Sequence, residues 1–175
     1  MKSNIVFAVA VVAALFVTPV LAQTVAQNNL KKAEERLQKD QDALAAARKS
    51  GDAAKIKAAE DRVKATQASA DRSRLQVDRE ALKTAQDRAK ASKTRLTKAN
   101  DQVTKDRAAV DSARSSGDAA RIKEAEAQLK ASRKRQEAAR KQAEASQARV
   151  SEREKRIEKS QEKVRSSQGQ AKGGG

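Results

Sequence analysis

The sequence predicts an all-α protein made of elongated antiparallel helical hairpins, an alanine-rich coiled coil. Three observations indicate this fold. Large aliphatic residues recur every seven residues, as in a coiled-coil seam. Alanine, the best helix former, is the commonest residue after Ala22. Between Gln23 and residue 168 the chain has no proline and only two glycines, Gly51 and Gly117, so helices are expected to end at only two internal points.

The first 22 residues are predicted to be a cleaved signal peptide. Lys2 precedes an apolar run over residues 5–17, and Pro19 leads to small residues before a cleavage site between Ala22 and Gln23. Cleavage would export the chain to the periplasm or the medium, with no membrane span remaining. An uncleaved anchor is the alternative, although the run is shorter than the roughly 20 residues of a spanning helix. The chain has no cysteine, which favours a bacterial envelope over a disulfide-rich secreted class.

The coiled-coil stripe consists of four series of residues at seven-residue intervals. These are Leu30, Leu37 and Leu44; Ile56, Val63 and Ala70; Leu75, Leu82, Ala89, Leu96, Val103 and Val110; and Ile122, Leu129, Gln136, Ala143, Val150, Ile157 and Val164. Alanine or serine follows many of these positions by three residues, which allows two helices to approach closely.

An internal repeat contains both predicted turns. Residues 39–65 align with 105–131 at a constant offset of 66, with 16 identities in 27 positions. A left-handed glycine commonly ends a helix, and an aspartate after it can accept hydrogen bonds from the free amides of the next helix. The sequence therefore predicts helix turns at Ser50, Gly51 and Asp52 and at Ser116, Gly117 and Asp118.

The stripe agrees with these turns. A reversal at the first turn should place opposite each other residues whose numbers sum to 100, such as Leu37 and Val63. A reversal at the second turn should give a sum of 232, as for Leu82 and Val150. Gln136, opposite Leu96, is the one poorly matched layer.

Three helices are therefore predicted, at about 24–49, 53–115 and 119–167. They would form a rod over residues 23–167, with a three-helix overlap near 68–77 and a disordered glycine-rich tail over 168–175. A five-residue step in the stripe after Ala70 leaves a hinge within the central helix as the alternative. Pairs four residues apart should add local support, namely Glu35 with Lys39, Glu60 with Lys64, Glu126 with Lys130 and Glu137 with Lys141.

The predicted core is thin. Only 17 residues after Ala22 are Leu, Ile, Val or Phe, which is few enough for a highly charged chain to remain disordered. The composition is similar to that of late-embryogenesis-abundant stress proteins, which implies a hydrophilin disordered in dilute buffer, although their eleven-residue motif does not stand out. The heptad spacing favours a folded rod instead, and the thin seam favours a homo-oligomer.

Positive charge is concentrated in the last third of the chain. The net charge is +16, and residues 129–175 contribute +8, from 14 basic and six acidic residues. This favours contact with a polyanion, either an anionic envelope component or an acidic protein. An ordinary solvated helix surface is the alternative interpretation. The candidate contact residues are Arg133, Lys134, Arg135, Arg140, Lys141, Arg153, Lys155 and Arg156.

No enzymatic activity, cofactor or metal is predicted. After Ala22 the chain lacks His, Cys, Met, Phe, Tyr and Trp, so it lacks most nucleophiles, soft metal ligands and stacking groups. Neighbouring carboxylates such as Glu34 and Glu35 lie among lysines and arginines, which favours exposed helix charges over a cation or acid–base site. Specific nucleic-acid binding is disfavoured because no aromatic ring is available to stack on bases.

The resulting hypothesis is an exported, non-enzymatic coiled-coil structural or interaction protein of the envelope or periplasm. Export, basic charge and long helical arms also resemble the Skp-type periplasmic chaperones, which grip unfolded outer-membrane proteins between such arms. That resemblance implies a holdase. The chain differs from this class because it has no β-strand-like segment for a trimerising body.

Overall fold

Three helices make up the part of the chain that the structure describes. The computed structural model describes residues 19–172, with side chains for residues 25–169. Helix α1 spans Pro19–Ser50, α2 spans Ala53–Ser116 and α3 spans Ala119–Lys172. No strand occurs within residues 19–172. The prediction of an all-α chain with three long helices is confirmed for these residues.

The outer ends of α1 and α3 differ from the predicted bounds. Helix α1 already includes Pro19, the first described residue, and therefore extends before the predicted start near residue 24. The predicted cleavage site at Ala22 thus lies within α1, and residues 1–18 of the predicted signal lie outside the described residues. Helix α3 continues to Lys172, inside the segment predicted as a tail, since one glycine costs only about 1 kcal/mol in a helix. Residues 173–175 lie outside the described residues.

The two connections between helices have nearly identical geometry. Gly51 and Gly117 have φ angles of 68° and 70°. The Asp52 Oδ1 atom accepts hydrogen bonds from the amides of Ala54 and Lys55 at 3.0 and 3.1 Å. Asp118 caps α3 in the same way, through the amides two and three residues later. The hydroxyls of Ser50 and Ser116 each donate to the carbonyl three residues earlier at 2.7 Å.

Cross-helix contacts define the register of the two helix pairs. In α1 and α2, Arg48 pairs with Glu60 and Glu34 pairs with Arg74, so residue numbers rise on one helix as they fall on the other. In α2 and α3 the same holds for Arg114 with Glu126 and for Asp78 with Ser160. Helix α2 therefore packs against α1 near its start and against α3 over the rest of its length.

Helix α2 is continuous through the step in the stripe, without a hinge. A five-residue step rotates the seam by about 140° around the helix, since each residue advances about 100°. In keeping with this rotation, α1 and α3 both contact α2 but not each other within the described residues. Four of the nine buried residues of α2 lie in the predicted overlap region, namely Ala68, Ala70, Asp71 and Leu75, and a fifth, Asp78, follows directly after it.

The seam between α2 and α3 contains regularly spaced polar layers that the stripe did not predict. The Ser160 hydroxyl donates to Asp78 Oδ2 at 2.6 Å, and the hydroxyls of Ser92 and Ser146 lie 3.0 Å apart. In both pairs the residue numbers sum to 238. The same sum places Asp71 with Ser167 and Asp106 with Ser132. These four layers contain every buried polar residue in the described part of the chain.

The ion pairs correct three of the four predicted pairs. Only Glu137 and Lys141 pair as expected, at 2.8 Å. Glu60 and Glu126 instead bind Arg48 and Arg114 across the turns, because the neighbouring helix is closest there. Glu35 forms no ion pair with Lys39. The pairs predicted for Glu60 and Glu126, which lie close to the turns, were therefore wrong because the four-residue spacing rule considers only one helix.

The poorly matched layer finds a polar partner one turn away. Gln136 Nε2 donates to Asn100 Oδ1 on α2 at 2.9 Å. The amide is thus satisfied without facing Leu96 as an unpaired polar group.

Burial is shallow throughout the described residues. Among the large aliphatic residues only Leu75, Val110 and Val150 are buried, and no large side chain is completely enclosed. Two-helix layers leave one side of each side chain near solvent, which explains the thin core. In the described part of the chain, no helix combines the length and apolar character needed to cross a bilayer.

Candidate functional site

The predicted basic residues lie along α3, and nearly all of them are exposed. Seven of the eight are exposed, and Arg153 alone is half-buried. The exposed residues are Arg133, Lys134, Arg135, Arg140, Lys141, Lys155 and Arg156. Their exposure fits either a binding surface or a solvated one, so their local contacts decide what each can do.

Arg140 and Lys141 are neutralised within α3. Arg140 Nε lies 2.8 Å from Glu144, and Lys141 Nζ lies 2.8 Å from Glu137. The hydrogen bond to Glu144 raises the pKa of Arg140, and the bond to Glu137 raises that of Lys141. The same lysine lowers the pKa of Glu137. These groups therefore stay charged but compensate one another, which weakens them as anion contacts.

Arg133 and Lys134 line a recess of about 590 Å³ near the second turn. Arg107, Arg114 and Lys130 also line it, together with the acids Asp111, Glu126 and Glu137. Arg114 is bound to Glu126 at 2.7 Å, and this hydrogen bond raises the pKa of Arg114. The acids thus offset much of the positive charge in this recess.

A second recess lies farther along the same two helices and has four arginines on its walls. We call it the arginine groove and define it by Arg88 and Arg95 of α2 and by Arg149 and Arg153 of α3. It comprises a recess of about 530 Å³ and an adjoining one of about 310 Å³. The two recesses share four lining residues, Thr84, Arg88, Ser146 and Arg149. They therefore form one continuous groove along the α2–α3 contact.

Small side chains at the seam explain why a groove opens here. Ala85, Ser92 and Ser146 occupy seam positions where a leucine would fill the space between the helices. The hydroxyl pair of Ser92 and Ser146 lies in the floor. The floor is consequently low and hydroxyl-lined, while the flanking arginines stand on both sides.

Charge in the arginine groove is unbalanced. Its lining includes four arginines and two acids, Asp87 and Glu152. None of these six side chains forms an ion pair within the part of the chain that the structure describes. The groove therefore differs from the recess near the second turn in one respect, since there Glu126 binds one of the five lining bases, Arg114.

Arg153 occupies an unusual position for a charged residue. Its residue number and that of Ala85 also sum to 238, which places the two residues opposite each other in the seam. The other residues of this register are alanine, serine or aspartate, whereas Arg153 is charged and half-buried. Partial burial of a guanidinium costs free energy unless an anion compensates it. No side chain within residues 25–169 supplies one within 4.0 Å.

The structure groups the predicted residues differently from their clusters in sequence. Arg135, Arg149 and Arg156 are separated by multiples of seven residues, so they share one face of α3. Arg133 and Lys134 face the other recess, and Lys155 is exposed next to Arg156. Arg88, Arg95 and Arg149 were missed, because the prediction followed runs of adjacent charges. Heptad spacing across both helices was the signal that could have identified them.

The turn residues have structural partners rather than features of a ligand site. The carboxylates of Asp52 and Asp118 accept hydrogen bonds from helix amides. They also form ion pairs with Lys55 and Arg121, respectively. No group of three or more metal-ligating side chains occurs among the described residues.

No protein-family model, curated protein or solved structure matches this chain. Its function is therefore inferred from its own surface chemistry.

Proposed function

We propose that the chain is an exported, non-enzymatic coiled-coil protein of the bacterial envelope or periplasm, which acts as a structural or interaction strut and binds an anionic envelope component. The observation that carries this proposal is the basic surface of α3. Seven of its eight candidate residues are exposed, and only Arg140 and Lys141 are engaged by carboxylates on their own helix. A long charged surface of this kind attracts polyanions and releases them as salt rises.

The proposed architecture is a rod of two antiparallel coiled-coil hairpins that turn at Gly51 and Gly117. The positive φ angles of both glycines and the cross-helix ion pairs near each turn support it. Helix α2 has 64 residues, which corresponds to a length of about 95 Å. Spin labels at positions 37 and 63 should lie within roughly 20 Å of each other, since packed helix axes are about 8–10 Å apart. A separation of several tens of ångströms would contradict the closed seam.

Export is supported by the sequence grammar of residues 1–22 alone. Expression of the full chain in a bacterium, followed by fractionation and mass measurement, tests it directly. A periplasmic product that starts at Gln23 is expected. A full-length product in the membrane fraction would favour the uncleaved anchor.

Anion binding is tested by sedimentation of the purified chain with phosphatidylglycerol vesicles. Binding is expected at low salt, with release as salt increases. The triple variant R133Q/K134Q/R135Q should bind less well than R36Q/R62Q/R72Q, which loses the same formal charge from exposed positions of α1 and α2. Equal loss in both variants would indicate a general charge effect, and absence of binding by the wild type would contradict the proposal.

The chaperone and hydrophilin hypotheses give different results. A holdase would suppress aggregation of a denatured client at stoichiometric amounts, whereas a strut would not. A hydrophilin would show little helicity by circular dichroism in dilute buffer, whereas the proposed rod should be strongly helical.

A further inference from the structure

We propose that the arginine groove binds a single extended chain of phosphate groups, a ligand of the linear polyphosphate class. The inference rests on the proposed anion-binding function and gives it a defined site and a ligand chemistry. It also moves the principal site from the adjacent basic residues of α3 to the contact between α2 and α3.

The type of side chain favours phosphate. All four basic residues of the groove are arginines, whose planar guanidinium matches the oxygens of a phosphate with two parallel hydrogen bonds. The groove is net positive, and no ion pair occupies its charges in the described part of the chain. The guanidinium groups are thus available to an external anion.

Arg153 provides an independent argument for an anion at this place. Arg153 is half-buried at a seam position, and no carboxylate within residues 25–169 lies within 4.0 Å of its guanidinium. A phosphate in the groove would compensate this charge, and in the Ser92–Ser146 pair the hydroxyl that accepts could donate a further hydrogen bond to it.

The length of the groove favours a polymer over a single ion. Arg88 and Arg95 lie seven residues apart on α2, a rise of about 10 Å. Arg149 and Arg153 lie on the opposite wall. One orthophosphate cannot reach all four arginines at this spacing, whereas an extended chain lying along the groove can.

Two other polyanions fit less well. A planar layer of lipid headgroups would meet the exposed side chains of α3 before the recessed floor of the groove. Single-stranded nucleic acid usually gains much of its affinity from bases stacked on aromatic rings, and the chain has no aromatic residue after Phe16.

The test is isothermal titration of the full chain with linear short-chain polyphosphate at several salt concentrations. The groove variant is R88Q/R149Q/R153Q, and the matched control is R36Q/R62Q/R72Q, which has the same change in net charge. The groove variant should bind at least about tenfold more weakly. The negative slope of log K against log salt should become shallower by about 2. The control should change affinity less than about threefold. Circular dichroism monitors folding, and if the triple variant loses helicity it is replaced by R88Q/R95Q, on exposed wall positions, with R36Q/R62Q as the control.

Each remaining outcome separates this inference from the proposed function. Equal weakening in the groove variant and the control would overturn the groove as the site. Binding of phosphatidylglycerol vesicles or single-stranded DNA without binding of polyphosphate would overturn the ligand assignment and leave the anion-binding function standing. If orthophosphate competed for the groove as well as polyphosphate at the same total phosphate concentration, the assignment of an extended-chain ligand would be overturned. Failure to bind any of these anions would overturn both proposals.

Discussion

Buried carboxylates and hydroxyls distinguish the seam of this protein from an ordinary aliphatic coiled coil. Asp71, Asp78 and Asp106 on α2 share layers with serines on α3, at intervals of seven or 28 residues. A polar group in a coiled-coil core lowers stability but favours one register, because any slip leaves it unpaired. With alanine in many other layers, aliphatic packing alone would discriminate poorly between registers. Asp71 and Asp106 accept hydrogen bonds from glutamines of α2 itself. The layers of Asp78 with Ser160 and of Ser92 with Ser146, whose hydrogen bonds cross the seam, are therefore the ones suited to fix how α2 and α3 align.

Replacement of Ser160 by alanine should destabilise the protein by about 1–3 kcal/mol, because it removes the hydrogen bond to the buried Asp78 carboxylate. The double variant D78A/S160A should recover most of that loss, since removing both partners leaves an alanine layer like that of Ala99 and Ala139. Thermal and urea unfolding of the single and double variants gives the coupling. The control is Ser151→Ala, an exposed serine on the same helix. Additive single effects would show that the bond contributes nothing to the fold.

Glu80 carries the one buried side-chain oxygen without a hydrogen-bond partner in the described part of the chain. Its Oε2 is unpaired, while Oε1 accepts from Gln76 at 3.0 Å. Glu80→Leu should raise the free energy of unfolding by about 1 kcal/mol, because it removes an unsatisfied carboxylate from a half-buried position. Glu80→Gln keeps the shape and should give a smaller change. A lower melting temperature for the leucine variant would contradict this prediction.

At the scale of the elements, each turn is a repeated unit that specifies both the end of one helix and the start of the next. A left-handed glycine stops the helix, a serine hydroxyl satisfies a terminal carbonyl and an aspartate caps the following helix. An arginine–glutamate pair then joins the two helices 12 residues apart in sequence. All of these residue types recur at the offset of 66, so the repeat preserves the whole turn and not only its glycine.

The cap at Asp52 should make the stability of the first turn depend on acid pH. The Lys55 amide, followed by its side chain, lowers the pKa of Asp52 below its ordinary value of 3.8. Because the folded pKa is the lower one, the cap stabilises the fold above about pH 3.8, and this contribution is lost as the pH falls through the folded pKa. Asp52→Asn keeps a capping oxygen but does not titrate there.

Melting curves of the wild type and Asp52→Asn from pH 6 to pH 2.5 test this prediction. The difference between their melting temperatures should be constant above about pH 4 and shrink below it. The other carboxylates titrate in both proteins and therefore cancel. A difference that does not vary with pH would show that the cap is not linked to protonation.

At the scale of the whole molecule, the five-residue step in the stripe decides where the outer helices lie. Because the step turns the seam by about 140°, α1 and α3 use different faces of α2 and can overlap along it without contact. A seven-residue step would have kept one face, and the two outer helices would then compete for it. The step that suggested a hinge is thus compatible with a continuous α2.

Insertion of two residues between Arg72 and Ser73 should disrupt this arrangement, because it restores a seven-residue step. Amide hydrogen exchange is expected to increase at the outer parts of the two competing helices, over residues 25–33 and 160–167. A seven-residue helical insertion at the same place keeps the angle between the two seams and serves as the control. Unchanged protection in the two-residue variant would contradict the role of the step.

Heptad spacing, the high alanine content and the absence of proline were enough to predict an all-α chain with three long helices. These features act locally, through backbone conformation and through the face that each helix buries. The predicted ion pairs at Glu60 and Glu126 failed because their partners come from the neighbouring helix. The four-residue spacing on one helix contains no information about which long side chains can reach across a turn.

The sequence by itself thus determined the helices, because propensity, glycine geometry and periodicity depend on residues near one another in the chain. Only the tertiary structure decided which polar side chains share a layer and which arginines line one groove. Arg88 and Arg153 are 65 residues apart, and they line the same recess only because α2 and α3 pack in a fixed register. That register is set by the sum of many weak contacts along the seam, and no single motif encodes it.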